Sequence, residues 1–283
     1  MIIFFLVVLI SGEPLVNIIN RNPAATWSAH EYSRDIITRA RLTLLAPLAI
    51  GPVEKFTIED SFYVPESFDA RDEWPNAILP VRDQEKCGSC WAFSIAESLG
   101  DRFGILGCGK GHLSPQDLIS CDSNDLGCNG GYQENSWTWV LTTGITTESC
   151  WPYRSGSGRI PSCPHRCVNG SVLQRNTINN YRRLDSSELQ DELYNNGPIQ
   201  VTYVVYEDFF YYSKGIYKHL SGNKVGGHAV VLMGWGIEDG VKYWLVQNSW
   251  GYEWGEQGYF RILRGSNECG IESSAYAGDV DCG

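Results

Sequence analysis

The chain has 283 residues, 43% of them apolar and 19% charged, with a net charge of −11 and a pI near 4.9. That length and composition describe a globular protein of one large or two ordinary domains and exclude an intrinsically disordered chain. An acidic surface repels polyanions, which excludes nucleic acid and anionic membrane as the main partners.

Residues 1–10, MIIFFLVVLI, are almost purely apolar and are broken by Ser11-Gly12-Glu13-Pro14. The run falls short of the ~20 residues that span a bilayer and reads as a secretory signal over 1–12, so no stable membrane insertion is expected. Ten cysteines and the sequon Asn169-Gly170-Ser171, with Asn169 the glycosylation candidate, point to the same oxidising route. From 13 to 64 the chain lacks cysteine and carries Arg21, Arg34, Arg39 and Arg41. Trp27, Tyr32, Ile36, Ile37, Ala40 and Leu44 recur at roughly helical spacing, which predicts a helix within 27–45. After Val64-Pro65-Glu66 the character changes and cysteines begin, so a processing boundary is placed there.

Residues 65–176 read as mainly helical. Ser89 can cap a helix running through Arg102 or Phe103, with Gly104 as its stop. Ser114-Pro115 opens a second helix toward Cys121, and Tyr132 to Thr143 forms a third, ended by Gly144. Arg154 to Ser162 is a Gly/Ser loop between cysteines. From 177 to 283 the pattern turns strand-like. Asp185 and Glu188 form a capping box for one helix that stops at Gly197-Pro198. Strands are predicted at Ile199–Val205, His228–Trp235, Lys242–Asn248 and Tyr259–Leu263. The expected class is α+β: a helical lobe, then a β lobe, with a cleft between them as the natural site.

Cys87-Gly-Ser-Cys90 is open to three readings: a redox dithiol, half a zinc site, or two cysteines with unrelated tasks. A thioredoxin-like dithiol wants a preceding strand, but ILPVRDQEK carries turn and charge. A zinc site wants a second pair, for which Cys163-Pro-His-Arg-Cys167 is the only candidate. The third reading puts Cys90 in the first turn of a helix, where free amides and the positive dipole end favour a thiolate. Cys87 is then left to form a bridge. A thiolate needs a base. His30, His112, His165 and His219 stand among polar residues and read as solvated. His228 follows Gly226-Gly227 and precedes an apolar strand, so its ring would emerge at a rigid strand end.

The blocks QEKCGSCWAF, CNGG from Cys128, GGHAV from Gly226 and QNSWGYEWGEQGYF from Gln247 together resemble the papain superfamily of cysteine proteases. SFDAR, GIES from Gly270 and LVNIINRN with Trp27 resemble its cathepsin B branch. The resemblance implies a papain-like two-lobe fold with a β-barrel-like C-terminal lobe. It implies a signal peptide over 1–12, an inhibitory prosegment over 13–64, and mature lobes over 65–176 and 177–283. Cys90 is then the nucleophile and His228 its proton partner, the two forming an ion pair with the thiol pKa drawn to about 3–4. Asn248 would orient the imidazole, Trp250 cover that hydrogen bond, and Gln84 join the Cys90 amide in an oxyanion hole. Gly130 and Gly131 would offer bare backbone to an extended substrate, although a tight turn after Cys128 explains them too. The family pattern pairs Cys87 with Cys128, Cys121 with Cys163 and Cys150 with Cys167, leaving Cys108, Cys269 and Cys282 unassigned.

Two departures from the branch set expectations of their own. Mammalian cathepsin B carries a long occluding loop with paired histidines. Here only Trp151 to Ser162 separate Cys150 from Cys163, without a histidine. An endopeptidase with an open cleft and little release of C-terminal dipeptides is expected. Ser274 stands where the mammalian enzyme has a glutamate at the base of its S2 pocket, so apolar P2 residues should be preferred. The expected partners are peptide and protein substrates and the chain's own prosegment. No cofactor and no metal are expected, the molecule should be a monomer, and its destination a lysosome- or vacuole-like compartment or the exterior. Rival classes are a disulfide-rich binding protein on the same scaffold and a thiol-disulfide oxidoreductase.

Overall fold

The computed structural model describes residues 13–44 and 64–283. The candidate signal over 1–12 and most of the stretch leading to the expected boundary lie outside the described residues.

In the segment expected to be the prosegment, α1 (Leu15–Arg21) is followed by a short strand β1 (Trp27–Ala29) and then α2 (Arg34–Leu42). Ser33 caps α2 by accepting a hydrogen bond from the Ile36 amide at 3.4 Å. The helix expected within 27–45 is thus only its second half. Trp27 instead sits in a strand, because its indole is 5% exposed, lies 5.1 Å from the Tyr217 ring and donates from Nε1 to the Lys218 carbonyl. Burial of one large ring and pairing to a sheet edge outweigh the helical periodicity.

The helical lobe opens with β2 (Phe68–Asp69) and α3 (Ala70–Glu73), followed by α4 (Cys90–Ile105), α5 (Pro115–Cys121) and α6 (Gln133–Thr142). Helix α4 is almost wholly buried, as a central helix should be, and takes Glu97, Asp101 and Arg102 into the interior with its apolar residues. It runs past Gly104. The stop is Gly107, at φ +77°, with Cys108 N bonded to Phe103 O and Gly107 N to Gly104 O, the pattern of a Schellman motif. Gly104 is small for another reason: a Cβ there would meet the Ala77 carbonyl oxygen at 2.8 Å.

The second half contributes β3 (Asn180–Leu184), a 3-10 turn carrying the Asp185/Glu188 capping box, α7 (Leu189–Asn196) and β4 (Ile199–Tyr206). Strands β5 (Tyr212–Tyr217), β6 (Lys224–Glu238), β7 (Val241–Gln247), β8 (Tyr259–Leu263) and β9 (Ala275–Asp279) complete it. The path β1-β5-β8-β7-β6-β4-β9-β3 is an open sheet, with β2 pairing β6, and not the barrel-like closure expected. Strands β3, β5 and β9 were not legible beforehand, because NYRRL, YSKGIY and AYAGD lack a clean two-residue alternation.

Four disulfides tie the chain: Cys87–Cys128, Cys121–Cys163, Cys150–Cys167 and Cys108–Cys282. The fourth supplies Cys108 with a partner from the carboxyl terminus. Cys90 and Cys269 form no disulfide and are buried. The lobes are also joined by Arg102 in α4, 3% exposed. It ion-pairs with Glu192 of α7 at 2.7 Å and donates to the carbonyls of Gly197, Pro198 and Gly278. Ala229 of β6 packs within the apolar cluster built around α4, so the two halves meet beside the first turn of that helix.

Candidate active site

Cys90 is the first residue of α4 and is fully buried. Ser89 occupies the N-cap position without capping, since its hydroxyl donates to the Cys87 carbonyl instead. The amides of Cys90 and Trp91 at the helix start, and that of Ala229 in β6, lie where they favour a thiolate at Cys90 and oppose the effect of burial. The uncapped helix start therefore favours negative charge at Sγ.

His228 lies in β6 next to Ala229, also fully buried. Its Nε2 is 2.7 Å from Oδ1 of Asn248, and the same Oδ1 accepts from the Ser249 amide at 2.8 Å, which fixes the amide orientation. Because Oδ1 can only accept, Nε2 carries the proton and Nδ1 is the bare nitrogen. Nδ1 is buried with no hydrogen-bond partner. The Trp250 ring stacks on the imidazole at 4.9 Å and 27°.

Gln84 is fully buried, its Oε1 accepting from the Ser249 hydroxyl at 2.6 Å and its Nε2 donating to the Cys87 carbonyl at 3.0 Å. Its backbone amide donates to the Ser249 carbonyl at 3.0 Å, so the two segments are laced together. Ser249 was not singled out in the sequence, although its place between Asn248 and Trp250 is a signal in hindsight.

Part of the prosegment lies over this group. Thr43, 1% exposed, accepts from Trp250 Nε1 at 2.8 Å through its hydroxyl, and its carbonyl receives Gln84 Nε2 at 3.4 Å. Arg39 forms ion pairs with Asp83 and Asp35, and Lys86 with Asp35 at 3.5 Å. Under this cover, burial pushes the Cys90 thiol up to about 12, against the facing amides, and His228 down to about 4, against its bond to Asn248. Burial in this covered conformation thus disfavours the charged form of each group, whose hydration is lost.

The remaining candidates sit as follows. Gly130 and Gly131 are buried; a Cβ on Gly131 would meet the Trp91 ring at 2.5 Å, and Gly130, at φ +112°, accepts from the Leu126 amide. Their turn and packing roles are the visible ones. The Ser274 hydroxyl donates to Gln133 Oε1 at 2.7 Å, across from α6. Asn169 is exposed, on a hairpin closed by the bridge between Arg166 and Val172. His219 is not the solvated histidine expected: its ring stacks on Tyr206 at 3.7 Å and Nδ1 faces Asp208 at 3.2 Å. Asp208, fully buried, draws it in along with donors from Tyr217, Leu220 and Ser221.

Comparison with known proteins agrees with this geometry. The family model "Papain family cysteine protease" matches residues 64–278. The chain is 45% identical to "Cathepsin B-like CP2" of Giardia intestinalis over 84% of each chain. It is 37% identical to "Cathepsin B-like cysteine proteinase 5" of Caenorhabditis elegans, over 96% of this chain and 91% of the other. Among solved structures, "proCathepsin B S9 from Trypanosoma congolense" superposes with a TM-score of 0.83 at 31% identity, covering 94% of this chain and 97% of that one.

Proposed function

We propose, from the premise that the chain belongs to the papain family of cysteine proteases and to its cathepsin B-like branch, that it is a zymogen whose mature form is an endopeptidase acting through Cys90. The observation that carries this reading is the His228 ring: Nε2 tied to Asn248, Nδ1 left bare, and the neighbouring Ala229 amide placed to favour a thiolate at Cys90.

Removal of residues 13–64 would readmit water to the site. The thiol proton then passes to Nδ1, giving a thiolate facing helix amides and an imidazolium held by Asn248. The thiolate attacks the scissile carbonyl, and the oxyanion is met by Gln84 Nε2 and the Cys90 amide. Imidazolium protonates the leaving amine, an acyl-thioester remains, and water activated by His228 hydrolyses it. Gly130 and Gly131 are proposed to border the extended substrate and Ser274 the P2 side chain. The Arg39–Asp83 and Thr43–Trp250 contacts support the prosegment as the inhibitor. The four disulfides support passage through an oxidising secretory compartment, with glycosylation proposed at Asn169.

Incubation of processed enzyme with an epoxide thiol-protease inhibitor should label Cys90 and abolish peptide hydrolysis. Absence of labelling in folded protein overturns the reading. Mass spectrometry of a peptide library should show internal cleavage at bonds whose P2 residue is apolar. Sequential loss of C-terminal dipeptides, or arginine outranking leucine at P2, refutes the endopeptidase and P2 assignments respectively.

A further inference from the structure

The segment that presents Gln84 is mechanically unusual. Gln84 is followed by Glu85 at φ +52°, a left-handed conformation that a residue with a Cβ adopts at a cost. Something must hold the Gln84–Glu85 peptide in place. The hold comes from the loop joining the Cys150–Cys167 and Cys121–Cys163 bridges. The Tyr153 phenol donates to the Gln84 carbonyl at 2.6 Å, whereas the amide of Cys87 reaches that carbonyl only at 3.4 Å. Two residues past Gln84, the Lys86 amide donates to the Gly156 carbonyl at 2.9 Å, and a Cβ on Gly156 would meet the Glu85 carboxyl group at 2.5 Å.

Tyr153 is itself firmly placed. Its amide donates to Glu148 Oε1 at 2.7 Å, its ring meets the Phe93 ring of α4 edge-on at 4.8 Å, and Glu148 is ion-paired to Arg82 at 2.8 Å. Burial, then the charges of Glu85 and Asp83, raise the phenol's pKa, so it stays a donor. Ser249 fixes the Gln84 side-chain amide from the other end.

We infer that Tyr153 is a positioning residue for the oxyanion hole: its phenol pins the Gln84 peptide and so aims the Gln84 Nε2 donor. This rests on the proposed role of Gln84. It gives the short loop between the disulfides a catalytic consequence.

The test compares wild type, Tyr153→Phe, Gln84→Ala and the double variant, as processed enzymes whose active sites are titrated with the epoxide inhibitor. Phenylalanine keeps the packing on Phe93 and removes only the donor. Per titrated site, kcat of Tyr153→Phe should fall roughly tenfold with KM within about twofold, since the loss is felt in the transition state. In the Gln84→Ala background the same change should lower kcat by less than about twofold. Replacement of Tyr153 by 4-aminophenylalanine, which restores a donor, should recover most of the loss. Equal losses in both backgrounds, or a change confined to thermal stability and titratable fraction, overturns the inference while leaving Gln84 as a donor. A Gln84→Ala enzyme with undiminished kcat overturns the Gln84 reading itself.

Discussion

Replacing Glu97 by glutamine should change how stability depends on pH. Glu97 is 2% exposed in α4, with Oε1 lacking a hydrogen-bond partner, and Asp101, fully buried one turn on, has Oδ2 in the same state. Burial pushes the Glu97 carboxyl up to about 8, with the Arg82 charge and Gln247 opposing only in part; Asp101 is likewise raised by burial and by Glu97 itself. Between the ordinary 4.5 and about 8 the folded chain keeps a proton that the unfolded chain releases, so stability falls as pH rises through that window. At about 1.4 kcal/mol per pH unit the full loss approaches 5 kcal/mol by pH 8. Glutamine cannot ionise and keeps the shape. Urea midpoints of the proenzyme and its Glu97→Gln variant, both carrying Cys90→Ser to prevent self-cleavage, should be measured from pH 5 to pH 8. The two should agree near pH 5, and the variant should be more stable by about 3–5 kcal/mol at pH 8. Parallel pH profiles would refute the argument and assign the buried carboxyl an ordinary titration.

Gln84→Ala should cut kcat by about 10²–10³-fold with little change in KM, read by steady-state kinetics per titrated site. Arg102→Leu removes one of the two arginines paired to Glu192, Arg182 remaining, and leaves the buried carbonyls of Gly197, Pro198 and Gly278 without their donor; it should cost about 3–5 kcal/mol in denaturant unfolding, with kcat at low temperature unchanged. Arg39→Ala removes the prosegment's ion pair to Asp83; processing followed by gel at pH 6 should quicken, and an unchanged half-time would show that the remaining contacts of Thr43, Trp27 and Asp35 hold the prosegment without it.

The α+β class, the helix at Cys90, four of the strands and the blocks around Gln84, Cys90, His228 and Asn248 were readable because each is a local pattern: a strand's composition, a motif's spacing, a glycine pair before a histidine. Three of the bridges were readable only through family resemblance. The pairing of Cys108 with Cys282 spans a sequence separation of 174 residues, and nothing near either cysteine announces it. Trp27 illustrates the opposite failure. Its helical spacing was real, but a pocket between Tyr212 and Tyr217 some 190 residues away made it a strand residue.

Sequence alone determined which groups could do the chemistry, since side-chain type and order are written in it. Tertiary structure alone decided their state and support. Burial among distant segments disfavours the charged forms of Cys90 and His228, and the hold on Gln84 follows from Tyr153 and Ser249 arriving from elsewhere in the chain. Protonation and positioning depend on what surrounds a group in space, and burial by residues far along the chain leaves no local mark.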